Sequence, residues 1–309
     1  MKKQSTDKAK QVMISVFRYV IVFGIAFYIV YPLILKTLYM FMDKQDMYDI
    51  MVLMIPKHFS LETVKLVVEE MNYFPTLLNT LVFSLLIAVI QAAVSLFVGY
   101  GFARFKFPLK KFWFAMVLLT LLITPQVIIA PLYMKFRFFN LSGFFSAFFQ
   151  KSGINLINTI YPFLISAATC MGLRNGLFIY VIRQFFRGVP KELEEAALID
   201  GANHMSTYFR IMLPNAKSLG ITITLFAFVW QYTDIFYSSW YMPNANFLSV
   251  KLNMLTTNLF GKTTLAVNSA YSNLITATGT MLVMIPILII YFVLQRQFTE
   301  SIERSGIVG

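Results

Sequence analysis

Long apolar runs separated by short polar islands set the organisation of this chain. Runs at about 16–42, 76–102, 112–136, 158–186, 218–242 and 270–294 are each long enough for a helix to cross a hydrocarbon core roughly 30 Å thick. The pattern predicts an all-α, polytopic membrane protein with six transmembrane helices. Residues 1–15 are polar and basic, carrying Lys2, Lys3, Lys8 and Lys10. The first run exceeds a signal-peptide core of about 7–15 residues, and no A-x-A-like cleavage site follows it, so it reads as an uncleaved span. Pro32 is expected to kink that span, with Lys36 snorkelling near its outer end. The island at 43–75 is acidic, and Leu61–Met71 reads as a short surface helix.

Several runs carry interruptions. Pro125 and Pro131 in the third free backbone carbonyls that only neighbouring helices or a cavity can satisfy. The aromatic connection at 137–157 is too short for another span and is expected at the bilayer interface. In the fourth run Arg174-Asn175 lies nine residues before Arg183, which puts the guanidinium roughly 14 Å up a helix and near mid-membrane. Two readings stand for it: a group lining a path or pairing across a subunit interface, and a structural donor to freed carbonyls. The fifth run holds Trp230-Gln231-Tyr232-Thr233-Asp234 and ends in Tyr237, Trp240 and Tyr241. This mixture suits either sugar contact or an interfacial aromatic belt. Arg174, Asn175, Gln231, Tyr232 and Asp234 are the candidate path residues. Pro286 is expected to kink the sixth run.

The island at 187–214 cannot cross a membrane, because it holds Lys191, Glu192, Glu194, Glu195, Asp200, His204 and Arg210. It is nonetheless patterned for helix. Pro190 suits a first helical position and the three glutamates then meet the positive end of the helix dipole. Asp200-Gly201 can close that helix, and Asn203 to Met212 can form a second, stopped by Pro214. The expected product is a bent, exposed helical elbow, in which Ala196 and Ala197 leave room for a partner and Glu195 offers it a carboxylate.

Composition agrees with the membrane reading: 58% of residues are hydrophobic and 13% charged, against roughly 25% charged in soluble domains. Of the 26 Lys and Arg, sixteen fall on the N-terminal side of the six-span topology and eight on the other. This bias puts both termini and the elbow in the cytoplasm. The net charge of +12 then reflects loops facing anionic lipid and not a nucleic-acid partner. One cysteine, Cys170, excludes an intrachain disulfide, and His58 and His204 lie in different segments, so no metal cluster is expected. Gly261-Lys262-Thr263 looks like the end of a phosphate loop, but Thr256 stands where the first glycine is needed. The chain is expected to be no enzyme and to hold no cofactor.

Glu195-Ala196-Ala197, Asp200-Gly201-Ala202 and Ile211-Met212-Leu213-Pro214 resemble the EAA signature of binding-protein-dependent ABC importer permeases. Asn79-Thr80, the stretch Tyr100 to Pro108, Thr124-Pro125-Gln126-Val127, Pro131-Leu132-Tyr133, Asn158-Thr159 and the tail from Gln295 to Gly309 are similar to further landmarks of the carbohydrate-importing branch. The likeness is to the smaller membrane subunit of maltose-like and oligosaccharide-like systems. The resemblance implies a type I importer permease in a bacterial plasma (inner) membrane, moving a carbohydrate, foremost an oligosaccharide, delivered by an extracellular solute-binding protein. It implies a second homologous membrane subunit, making a heterodimer, and two cytoplasmic ATPases that hold ATP and Mg. Glu195, Ala196, Ala197, Asp200, Gly201, Ile211, Leu213 and Pro214 would form the coupling site. Two departures stand out: extra residues at Ser142–Ile157, and Gln231-Tyr232-Thr233 where relatives often show a Trp-Asn pair. A gradient-driven secondary transporter or channel is the alternative, and a non-transporting membrane scaffold or sensor a third reading.

Overall fold

The computed structural model describes residues 2–49, 51–52, 54–140, 153–261 and 270–306, with side chains described within 11–295. Most of the extra segment at 142–157 therefore lies outside the described residues, as do Lys262, Thr263 and the last three residues. Among the described residues there is no β-strand, only isolated bridges between Met42 and Phe59 and between Phe139 and Ile154.

In chain order the helices are α1 (Lys2–Met40), α2 (Glu62–Glu70), α3 (Tyr73–Arg104), α4 (Lys110–Leu122), α5 (Pro125–Arg137), α6 (Tyr161–Ala168) and α7 (Asn175–Gly188). There follow α8 (Glu192–Ile199), α9 (His204–Asn215), α10 (Lys217–Thr233), α11 (Phe236–Tyr241), α12 (Leu248–Phe260) and α13 (Ala270–Gly306). Stretches Gln11–Met40, Tyr73–Arg104 and Ala270–Gln295 are each long and apolar enough to cross a membrane unbroken. The pairs α4 with α5 and α9 with α10 pass the same test when each is taken as one bent span, raising the number to five. The helix of the expected first span begins well before residue 16, and α13 carries on through Pro286 into the expected tail.

The chain packs as two compact units. The first comprises Met1–Tyr73 with Met254–Pro286. Here the most apolar 18-residue part of α1 has no buried residue, while its end is tied down by Thr37 against Met281 and by the buried Met40. Beyond it, Asp46 organises the polar island: its Oδ2 accepts the His58 N–H and its Oδ1 lies 2.8 Å from His58 Nδ1. These bonds hold the Asp46 carboxyl below its ordinary value. The Tyr73 hydroxyl donates to the Leu282 carbonyl at 2.8 Å, tying the start of α3 to α13.

The second unit comprises Phe74–Asn253 with Ile287–Gly309, and α3 runs through it. Its buried face carries Ser84, Gln91 and Ser95 beside Ile87, Ala88 and Ala92, the small and polar mixture that lets membrane helices approach closely. At one end Phe83 stacks on Phe247 and meets Phe163 edge-on, within a cluster that includes Ile129, Phe136 and Tyr241.

Three expected spans are broken, each for a visible reason. Pro125 forces Thr124 into extended backbone, ψ 144°, then serves as first residue of α5, and the third run bends by 105°. The fourth run is two helices and not one: Cys170 and Arg174 both take left-handed conformations, φ 59°. The carbonyl freed there, Leu173 O, accepts from Gln91 Nε2 on α3, while Asn175 Nδ2 donates to Ser95 Oγ at 3.0 Å. Gly172 makes this possible, since a Cβ there would lie 2.8 Å from Asn175 Oδ1. The fifth run stops at Thr233, and Asp234 redirects it into α11.

Candidate functional site

The elbow between α7 and α10 is built by local rules. α7 ends at Gly188 and Val189 is extended, ψ 133°. Pro190 does not open the next helix as expected; Lys191 is the N-cap and α8 begins at Glu192. With one residue more between proline and helix, Glu192, Glu194 and Glu195 still occupy the first turn, where the helix dipole favours carboxylates. The helix closes in a Schellman arrangement, with Ala202 N–H donating to Ala197 O at 3.0 Å and Gly201 N–H to Leu198 O at 3.1 Å. Gly201 sits at φ +86°, a conformation that costs any side chain and suits glycine alone. Asn203 then caps α9, its Oδ1 accepting the Ser206 N–H at 2.7 Å.

Pro214 does not stop α9. The preceding turn, Tyr208–Met212, widens to π geometry, and the helix continues to Asn215 before bending 77° into α10. A π turn absorbs the hydrogen bond that a proline nitrogen cannot make.

Side chains from α3 hold this elbow. Arg104, at the end of α3, donates from Nη2 to Val189 O at 2.6 Å, and its Nε lies 2.9 Å from Glu194 Oε1. That second contact is an ion pair whose N–H is not aligned for a hydrogen bond. Tyr100 lies close enough to Glu194 for the two to interact electrostatically, and the Tyr100 ring packs against Phe105, Phe186 and Tyr208. Burial pushes the Glu194 carboxyl above its ordinary value, and the Arg104 charge only partly pulls it back.

The outer surface of the elbow is mixed acidic and apolar. Glu195, Ala196, Asp200, Gly201 and Pro214 are exposed, whereas Ile211 and Leu213 are half-buried. Ala197 is a correction: at 5% exposure it packs into the chain, because it falls on the inner face of α8, and cannot be the small residue a partner approaches. Sequence reasoning also missed how much apolar surface the elbow exposes: Ile199 is 86% exposed, and Leu193, Leu198, Met205 and Phe209 are exposed as well. An apolar run inside a charged island carries no signal of which face it will show.

The five path candidates separate. Arg174 is exposed, 5.9 Å from the Trp230 ring, with no acidic partner among the described residues. It does not serve the freed carbonyls; Gln91 does. Asn175, Gln231 and Tyr232 are buried. Asp234 is a local cap: Oδ1 accepts from Tyr237 N–H, and Oδ2 from both the backbone N–H and the hydroxyl of Ser238. Asp234→Ala is therefore expected to lower stability by about 1–2 kcal/mol, the usual worth of such a cap. Thermal unfolding of the detergent-purified protein reads this, and an unchanged midpoint would remove the capping role. Among the described residues no three His, Cys, Asp or Glu side chains converge as a metal site.

Comparison with known proteins matches residues 93–304 to the family described as binding-protein-dependent transport system inner membrane component. A probable ABC transporter permease protein of Pyrococcus horikoshii is 26% identical over 80% of each chain. The maltodextrin transport system permease protein of Streptococcus pneumoniae is 23% identical over 98% of each. The crystal structure of a bacterial ABC transporter that imports the acidic polysaccharide alginate contains a chain of the same fold, with TM-score 0.63 at 18% identity, covering 92% of this chain and 96% of that one. Since the family match takes in α4 to α12 and the whole elbow between them, this chain belongs to the binding-protein-dependent transport system inner membrane components and is a multi-pass membrane permease.

Proposed function

We propose that this permease moves a carbohydrate, an oligosaccharide foremost, into a bacterial cell by coupling its helices to ATP hydrolysis on partner subunits. The elbow carries the reading. A Schellman-closed, capped and bent helix pair presents the exposed Glu195 and Ile199 outside the apolar spans, where nothing else among the described residues covers them. A rigid convex element of this kind suits a cleft on a second protein, and differential grip on it in two states is what alternating access requires. The carbohydrate cargo is supported by the maltodextrin permease among the relatives and by the alginate importer among the structures. The working unit is this chain, a second and homologous membrane subunit, two cytoplasmic ATPases that bind ATP with Mg, and an extracellular solute-binding protein. The Lys and Arg bias supports an orientation with both termini inside.

Gentle detergent extraction with intact-complex mass determination tests this. The expected result is co-recovery of a second multi-span chain and two copies of a phosphate-loop ATPase. Vesicle uptake should follow ATP and survive dissipation of ion gradients. Recovery of this chain alone across several mild detergents, with uptake that collapses with the gradient, would overturn the proposal in favour of a secondary transporter.

A further inference from the structure

Arg104 and Glu194 are 90 positions apart in sequence, yet their side chains are only 6% and 17% exposed and meet at 2.9 Å. Arg104 belongs to a membrane-crossing helix, α3, and Glu194 to the first turn of α8 in the elbow. The same guanidinium reaches Val189 O, in the extended residue that joins α7 to the elbow. One side chain thus holds both the approach to the elbow and its first helix. Tyr100, one turn earlier on α3, interacts electrostatically with Glu194 and packs its ring on Phe186 and Tyr208 at the two ends of the elbow. Neither of the other acidic residues of that turn shares this arrangement: Glu192 and Glu195 are exposed.

We propose that Arg104, Glu194 and Tyr100 form an internal latch that fixes the angle of α8 to α3, so that movement of the elbow is transmitted to the membrane helix. They are positioning residues, and the role rests on the reading that the elbow docks on an ATPase. A latch for orientation fits the energetics better than a device for stability. Desolvation outweighs the attraction felt by Glu194, so its contribution to stability is greatest at low pH and is lost as pH rises through its elevated pKa. The partly buried pair is therefore held at a desolvation cost.

The experiment uses the full chain with its membrane and ATPase partners, Cys170→Ser, and spin labels at Lys106→Cys and Glu192→Cys, both exposed positions outside the docking residues named above. Arg104→Met and Glu194→Leu are each expected to broaden the label-to-label distance distribution and cut Mg-ATP hydrolysis about tenfold, because each leaves a lone buried charge. The double variant replaces the pair by apolar groups and is expected to recover both readouts to within about threefold. Tyr100→Phe keeps the ring and gives a small loss, so the latch can be read even if a charge variant fails to fold. Native distances in both single variants, or losses that multiply in the double one, would overturn the latch. Glu195→Lys separates the two readings. If it hydrolyses ATP normally with native distances, docking of the elbow fails and the positioning role falls with it; if it loses hydrolysis at native distances, docking stands.

Discussion

Replacing Glu195 by lysine is expected to release the ATPase partners and abolish coupled hydrolysis, while leaving the permease folded in the membrane. Glu195 is exposed and makes no ion pair among the described residues. Reversing its charge costs the isolated chain only the favourable interaction with the α8 dipole, about 0.3–1 kcal/mol. At an interface the same reversal places like charges together and strips a buried hydrogen-bonding group, a penalty of about 2–5 kcal/mol or more. The second figure exceeds the first several-fold, so the defect should appear in assembly before it appears in folding. Size-exclusion profiles should stay monodisperse while ATPase co-purification falls at least about thirtyfold, the equivalent of roughly 2 kcal/mol. Native co-purification and a hydrolysis rate within twofold of the parent would mean that Glu195 is not at the interface.

The elbow was legible in the sequence because its signals are local. Gly201 takes the left-handed angle that only glycine adopts freely, Asn203 caps the following turn, and acidic residues fill the first turn of α8. Pro125 announced a break in the third run for the same reason, since its own ring and the restriction on Thr124 decide the geometry. Boundaries set by other helices were not legible. The sequence marks Arg174-Asn175 as an interruption of the fourth run but not as a break between two helices; the freed Leu173 carbonyl is met by Gln91, 82 positions away. Asp234 reads in the sequence as a candidate path residue, and its bonds to Tyr237 and Ser238, three and four residues on, show it closing a turn. Pro214 misled for the opposite reason: the π turn before it satisfied the helix that a proline ordinarily ends.

Gly99, Gly176 and Gly101 lie in helices of the second unit, where glycine is a poor helix former, and the structure separates those that are required from the one that is not. An ideal Cβ on Gly176 would lie 2.5 Å from Thr120 Oγ1 and 2.8 Å from Val117 O on α4; on Gly99 it would lie 2.5 Å from Ile182 Cγ2 on α7. Thr120 Oγ1 already donates to Val117 O at 2.7 Å, and the carbonyl is backbone that cannot rotate aside. Gly176→Val should therefore force α4 and α7 apart. The overpacking costs about 1–3 kcal/mol or more, and valine recovers only part of glycine's helix penalty of roughly 1 kcal/mol. At Gly101 the balance reverses, because a Cβ there meets nothing nearer than Phe105 Cδ2 at 3.8 Å. Gly101→Ala is expected to be neutral or slightly stabilising. Thermal unfolding in detergent should put Gly176→Val roughly 5–10 °C below the parent and Gly101→Ala at or above it. Equal midpoints for the two variants would show that α4 and α7 do not depend on a close approach at Gly176. The contrast matters for transport because α7 leads directly into the elbow, so the spacing of α4 and α7 fixes where the elbow begins.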